Sequence, residues 1–188
     1  MPILPAEPDR YPPDLWQEEV GEIDRERRWW CLHVKPRQEK ATARHLWNRR
    51  ITHYMPLVAR EGCTPGGRKI RSTVPLFPSY VFFQGDDRQR VEALKGNTLA
   101  GVLQVFDQEA LVRDLQHVHR MLTSGLPVVP EAAHPVGSRI RIASGPLSGV
   151  VGVVIRRGKR DQFVAVVRFL NCGATVDLED WQVERVED

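Results

Sequence analysis

Cysteine is scarce in this chain. Cys31, Cys63 and Cys172 are three among 188 residues. Odd in number and far apart, they fit neither the CxxC spacing of a zinc or redox site nor a disulfide framework. They read as reduced thiols of a cytoplasmic protein. No apolar run approaches the roughly 18 residues a membrane span needs, so no membrane partner is expected. The N-terminus has no basic segment followed by an apolar one, which argues against a secretory signal. HExxH, P-loop, GxSxG and GxGxxG motifs are absent. His117 and His119 lie two apart on an expected helix and cannot share a face. Cys31 and His33 point to one side of an expected strand, but no acid is placed to orient them. These absences argue against an enzyme, a metal site and a cofactor, and leave binding as the expected activity.

Net charge is also low, at +3, but it is unevenly spread. Residues 1–26 carry a net −6, residues 27–71 a net +10, and the remainder −1. An acidic, Pro-rich tail therefore precedes a strongly basic segment, an asymmetry that bears on partners more than the total does. The tail has no sustained hydrophobic period and reads as largely disordered, with Trp16 able to dock locally.

Trp29–Val34 reads as a strand ended by Pro36, and Arg37–Arg50 as a helix with Arg37, Lys40 and Arg44 on one face. THYMPLV reads as a strand. The Pro65-Gly66-Gly67 turn joins two extended arms. YVFFQ is a further strand, residues 86–96 a short helix, GVLQVF a strand, and residues 107–122 a helix with Leu111, Leu115, Val118 and Leu122 in one apolar stripe. This order predicts an α+β domain over residues 27–122, with helices on one face of a mixed or antiparallel sheet. Residues 123–135, rich in proline, read as a linker. From residue 136 to 188 short Val/Ile-rich strands separated by GPLSG, GKRD and NCG predict a small β-barrel.

One segment stands apart. PLFPSYVFF (Pro75–Phe83) places two prolines in a strand of large aromatics, although proline is rarely found in central strands. Strand alternation sends Val81 and Phe83 to one side, Tyr80 and Phe82 to the other. If helices cover one face, an aromatic pair is left on the open one. An apolar patch kept open marks a protein partner; the same aromatics would equally serve as ordinary core.

WWCLHVKPRQEKATARHL, YMPLVAREG, GGRKIRSTVPLFPSYVFF and GVLQVF together resemble the N-terminal domain of the NusG family of transcription elongation factors. GSRIRIASGPLSGVVGVVI with QVERV resembles that family's KOW domain, an SH3-like barrel. PLFPSYVFF is closest to the specialised, RfaH-like antitermination branch, since the housekeeping members usually have glycine at the position of Ser79. The resemblance implies that Phe77, Pro78, Tyr80 and Phe82, with His33 at the rim, bind the clamp helices of RNA polymerase. It implies that Lys35, Arg37, Lys40, Arg44 and His45 face the non-template DNA of the transcription bubble, in keeping with cations that neutralise phosphates. It also implies that Phe169, Leu170 and Asn171 lie where the KOW domain recruits Rho or a small-subunit ribosomal protein. The RfaH-like threonine-rich loop is replaced here by Glu92-Ala93-Leu94-Lys95, so contact with the polymerase gate loop is not expected. A cytoplasmic monomer without cofactor is expected. The alternative is a KOW-type RNA- or ribosome-binding protein. The barrel is expected rather than the helical hairpin known for RfaH, because VVGVVI and FVAVV are poor helix formers.

Overall fold

The computed structural model describes residues 8–16, 27–63, 66–67, 69–131, 138–157, 160–170, 172–177 and 183–185. The element order is β1 (Arg10–Tyr11), β2 (Arg28–Val34), α1 (Glu39–Asn48), β3 (Thr52–Tyr54), β4 (Leu57–Cys63), β5 (Lys69–Pro75), β6 (Tyr80–Gly85), α2 (Asp87–Leu94), β7 (Leu99–Gln104), α3 (Gln108–Thr123), β8 (Val129–Glu131), β9 (Ser138–Ile142), β10 (Val151–Arg157), β11 (Arg160–Val167), a 3-10 turn (Arg168–Leu170), β12 (Cys172–Asp177) and β13 (Val183–Arg185). The chain forms two compact units, one from residues 1–57 and 77–108, the other from 58–76 and 109–188.

In the first unit five strands pair in the order β1-β3-β6-β2-β7, and every pairing is antiparallel. Of the two sheet types the sequence allowed, the mixed one is thereby excluded for the described strands. Trp30, Leu32 and Val34 of β2 share a face with Val81 and Phe83 of β6, and this face packs with Ala43 and Leu46 of α1 and Ala93 of α2 in one core. The short helix α2 is held by a capping box: the Asp86 carboxylate accepts from the Gln89 N–H at 2.7 Å, and Gln89 Oε1 accepts from the Asp86 N–H at 3.2 Å.

Three expectations change here. Residues 8–16, assigned by composition to a disordered tail, instead supply an edge strand. Arg10 and Tyr11 pair with Tyr54 and His53. Trp16 stacks on Trp29 at 5.7 Å and meets Tyr54 edge-on at 5.3 Å. Two aromatic anchors on a nine-residue stretch (8–16) outweigh its Pro-rich composition; the rest of the tail lies outside the described residues. THYMPLV is two strands, broken at Met55–Pro56, since proline cannot donate to a ladder. α1 begins at Glu39, and Arg37 before it has φ 64°, so Arg37 stands in a left-handed turn rather than on the helix.

The second unit holds the β4–β5 ribbon, α3 from Glu109 onward and a six-stranded sheet ordered β13-β9-β10-β11-β12-β8, antiparallel throughout. No helix occurs among the described residues from Ser138 to Ile155. Ile140, Ile142, Phe163, Val164 and Val176 are buried. β10 crosses β11 closely at Gly152, where a Cβ would stand 2.3 Å from the Val164 carbonyl oxygen; only glycine fits. Within the expected linker, Val129–Glu131 pairs with β12; residues 132–135 lie outside the described ones. The buried stripe of α3 runs through Leu111, Leu115, Val118 and Met121, ending on Met121 where the sequence suggested Leu122. Asp114 joins that buried face and accepts from the Arg168 N–H at 3.0 Å and from its guanidinium at 3.1 Å. This bond holds α3 to the 3-10 turn that follows β11.

Candidate functional site

The segment Phe77–Tyr80 is a turn. The Tyr80 N–H donates to the Phe77 carbonyl at 3.2 Å. Pro78 and Ser79 are the central residues, and Ser79 has φ 68°. Proline first and a positive φ second is the type II pattern, which favours glycine at the second position. The turn is fastened on both sides of its peptide. The Ser79 N–H donates to Glu39 Oε1 at 2.8 Å, and the Ser79 carbonyl accepts from the Val34 N–H at 2.8 Å. Glu39 is itself buried in the first turn of α1. Pro75 closes β5. The two prolines therefore stand at a strand end and a turn, not inside a central strand.

Beyond the turn, the second sheet face carries Trp29, Cys31 and His33 of β2, Tyr80 and Phe82 of β6, and Tyr54 of β3. It is not open along its length. Phe82 is fully buried and Phe77, edge-on to it at 6.3 Å, is 3% exposed. The expectation of an open Phe77–Phe82 surface is thus corrected: the two rings pack on each other, with Tyr54 beside Phe82 in the ladder. What remains accessible is one end: His33 and Pro78 are exposed, and half-buried Tyr80 stacks on His33 at 5.5 Å.

The basic residues divide into separate places. Lys35 is exposed and donates from Nζ to the Asn97 carbonyl at 2.9 Å. Lys40, half-buried, and Arg44, exposed, lie one turn apart on α1. Arg37 is exposed in the turn before the helix. A cleft of about 270 Å³ lined by Pro8, Ala43, Arg44 and Trp47 borders the helix. His45 points instead toward α2. Its Nε2 is 2.9 Å from the Glu92 carbonyl and its Nδ1 3.1 Å from Arg49 Nη1. With a carbonyl on one side and a guanidinium on the other, Nε2 carries the proton. Glu92 also pairs with Lys95 and Arg49, which hold its carboxyl below the usual range. The 92–95 segment thus ends a helix in a local ion-pair network. The residue missed by sequence reasoning is Glu39, which fixes the turn from 40 positions away in sequence. A lone buried-side Glu after a basic run gives no such signal on its own.

In the second unit Phe169 and Leu170 are half-buried in the 3-10 turn that Arg168 begins, pinned through Arg168 to Asp114. Asn171 lies outside the described residues. The three cysteines are free thiols, Cys31 buried and Cys63 exposed. Among the described residues no group of His, Cys, Asp or Glu could hold a metal ion, and no helix is long and apolar enough to cross a membrane.

Residues 27–135, more than half of the chain, match the family model described as "Transcription termination factor nusG". The match spans the turn, the aromatic face, α1 and α2. No curated protein matches the chain at a significant level.

Proposed function

The chain belongs to the NusG family of transcription factors, whose members act in elongation and termination and interact with RNA polymerase, and from that premise we propose a specific reading of the site. The exposed end of the aromatic face, His33, Pro78 and Tyr80, is the contact for the polymerase clamp helices. The single observation that carries this is the His33–Tyr80 stack at 5.5 Å beside a turn whose geometry is fixed from two elements. A rigid aromatic pair with an exposed proline offers apolar area at low entropy cost, which suits a docking anchor. Buried Phe77 and Phe82 support that anchor from beneath. Lys35, Arg37, Lys40 and Arg44 then face the non-template strand, at modest sequence specificity; His45, already bonded at both nitrogens, orients α1 against α2.

The second unit is read as the family's KOW domain. Its antiparallel sheet of short strands fits an SH3-like barrel, and the Phe169–Leu170 turn is the surface that recruits Rho or a small-subunit ribosomal protein. Ser79 at the turn position supports reading the chain as a member of the specialised, RfaH-like antitermination branch.

The test is binding to core RNA polymerase. His33→Ala with Tyr80→Ala is expected to remove binding while tryptophan fluorescence and circular dichroism stay unchanged. Phe77→Ala is unsuited to this test, because it opens the core. Undiminished binding by the folded double variant would remove this surface from the assignment.

A further inference from the structure

The edge strand of a sheet exposes unpaired backbone groups, and proteins guard such edges with proline, charge or brevity. Among the described strands, the other edges are guarded in this way. β1 is two residues long and is followed by Pro12 and Pro13. β8 is three residues long and contains Pro130, and β13 is three residues long. The β4–β5 ribbon carries Arg60, Glu61 and Lys69. β7 is different. It pairs only with β2 among the described strands, and residues 96–106 (GNTLAGVLQVF) hold neither proline nor charge. Ala100, Leu103 and Gln104 are exposed, Leu103 to 39%. Just past the strand, Phe106 is 87% exposed, although the chain around it is held. The Gln108 amide donates to the Val105 carbonyl at 2.8 Å and to the Trp29 carbonyl at 3.0 Å, and accepts from the Trp29 N–H at 2.7 Å. The ring is thus presented to water by a fixed segment.

This edge is complementary to itself. His33 stands opposite Gly101 and Val34 opposite Leu99, so β7 bulges at Ala100 and its regular run is residues 101–104. Gly101 and Leu103 lie on one face, opposite His33 and Cys31. A Cβ added at Gly101 would meet nothing within 4 Å, so an empty place lies two residues from a protruding leucine. In a two-fold antiparallel pairing centred on Val102, Leu103 of one copy falls opposite Gly101 of the other, and symmetry repeats the contact. Val102 then meets its own copy, and a β-branched cross-strand pair favours the ladder. No charge on the strand repels its copy. The same pairing turns the Phe106 end of each strand toward the start of the other. We propose that β7 is a self-association surface, through which two copies of this chain join their five-stranded sheets edge to edge across a two-fold axis. The sequence alone suggested a monomer; the unguarded edge is visible only in the sheet order. β7 is six residues long, far short of the roughly 20–30 residues a side of a standard interface, so the dimer is weak and concentration-dependent. The pairing uses the β7 backbone rather than the His33–Tyr80 stack, so it stands or falls independently of the polymerase contact.

The test is sedimentation velocity of the full chain over roughly 5 to 500 μM, the span of affinities between micromolar and millimolar. A monomer–dimer equilibrium is expected. In isotope-labelled protein the amide signals of β7 should shift as the dimer forms, and those facing outward should exchange with deuterium more slowly. Leu103→Lys, at an exposed position and checked by circular dichroism, should weaken the dimer about tenfold or more. Gly101→Leu should weaken it as well, because two leucines then meet. Gly101→Leu with Leu103→Gly exchanges the protruding and the empty position and should regain the association lost in Gly101→Leu. A chain that stays monomeric at the highest concentration overturns the proposal; if its β7 amides then shift on adding an uncharged valine-threonine hexapeptide, the edge takes a heterologous strand instead. A dimer that Leu103→Lys leaves unchanged, or one in which the β7 amides do not move, overturns it too. So does an exchanged pair that folds but regains no association.

Discussion

Replacing Glu39 with alanine tests whether the aromatic turn is held from α1. The Glu39 carboxylate is 7% exposed and accepts the Ser79 N–H at 2.8 Å. Removing it leaves a partly buried donor unpaired, which costs about 1–3 kcal/mol. It also removes a carboxylate from the first turn of a helix, worth a further ~0.3–1 kcal/mol. A loss of about 2–3 kcal/mol is expected. Glu39→Gln keeps an acceptor at the same reach and should recover at least half of that. The assay is urea unfolding followed by tryptophan fluorescence. Four of the five tryptophans, Trp16, Trp29, Trp30 and Trp47, belong to the first unit, so the signal reports that unit. With an m-value of about 2 kcal/mol per M, the midpoint for alanine should fall by about 1 M. Polymerase affinity should fall with it, because Tyr80 leaves the turn that Glu39 fixes. Equal midpoints for the alanine and glutamine variants would refute the reasoning, since the acceptor would then contribute nothing.

Ser79→Gly should stabilise the first unit by up to ~1 kcal/mol: relief of a left-handed residue, about 1–2 kcal/mol, exceeds the extra chain entropy of glycine, about 0.5–1 kcal/mol; a lowered urea midpoint would contradict the turn assignment. Trp16→Ala, which deletes the stack on Trp29 and the edge contact to Tyr54, should destabilise the same unit by about 2–3 kcal/mol, below the range for fully buried tryptophan because Trp16 is half-exposed. Acid should weaken the second unit through His117. Its folded pKa of about 4 lies below the ordinary 6.5, so the unfolded chain takes up the proton first. That contribution to stability is whole above pH 6.5 and is lost as pH falls toward 4. His117→Gln should flatten the dependence of the far-ultraviolet unfolding midpoint over that window, and an unchanged slope would place the acid sensitivity elsewhere.

Local pattern determined much of this protein. The 3.6-residue period of 107–122, the Pro/Gly turns and the Val/Ile alternation after residue 136 were enough to place α3 and the strands β9 to β12 of the C-terminal sheet. Each depends on neighbours a few positions away. The quoted motifs were likewise enough for the NusG resemblance, which the match over residues 27–135 supports. What the sequence left open depended on partners far along the chain. Alternation correctly separated Phe82 from Phe83, but whether a face is open is decided by what covers it, and Phe82 is fully buried beside Phe77 and Tyr54. Composition read residues 8–16 as tail, whereas a strand pairing with β3 and one indole on Trp29 hold them. Arg37 looked helical on a wheel, yet its φ of 64° takes it off the helix. The tie between α3 and the 3-10 turn was invisible in the sequence for the same reason. Asp114 and Arg168 lie 54 positions apart, and only the tertiary structure brings the carboxylate to the Arg168 N–H and guanidinium.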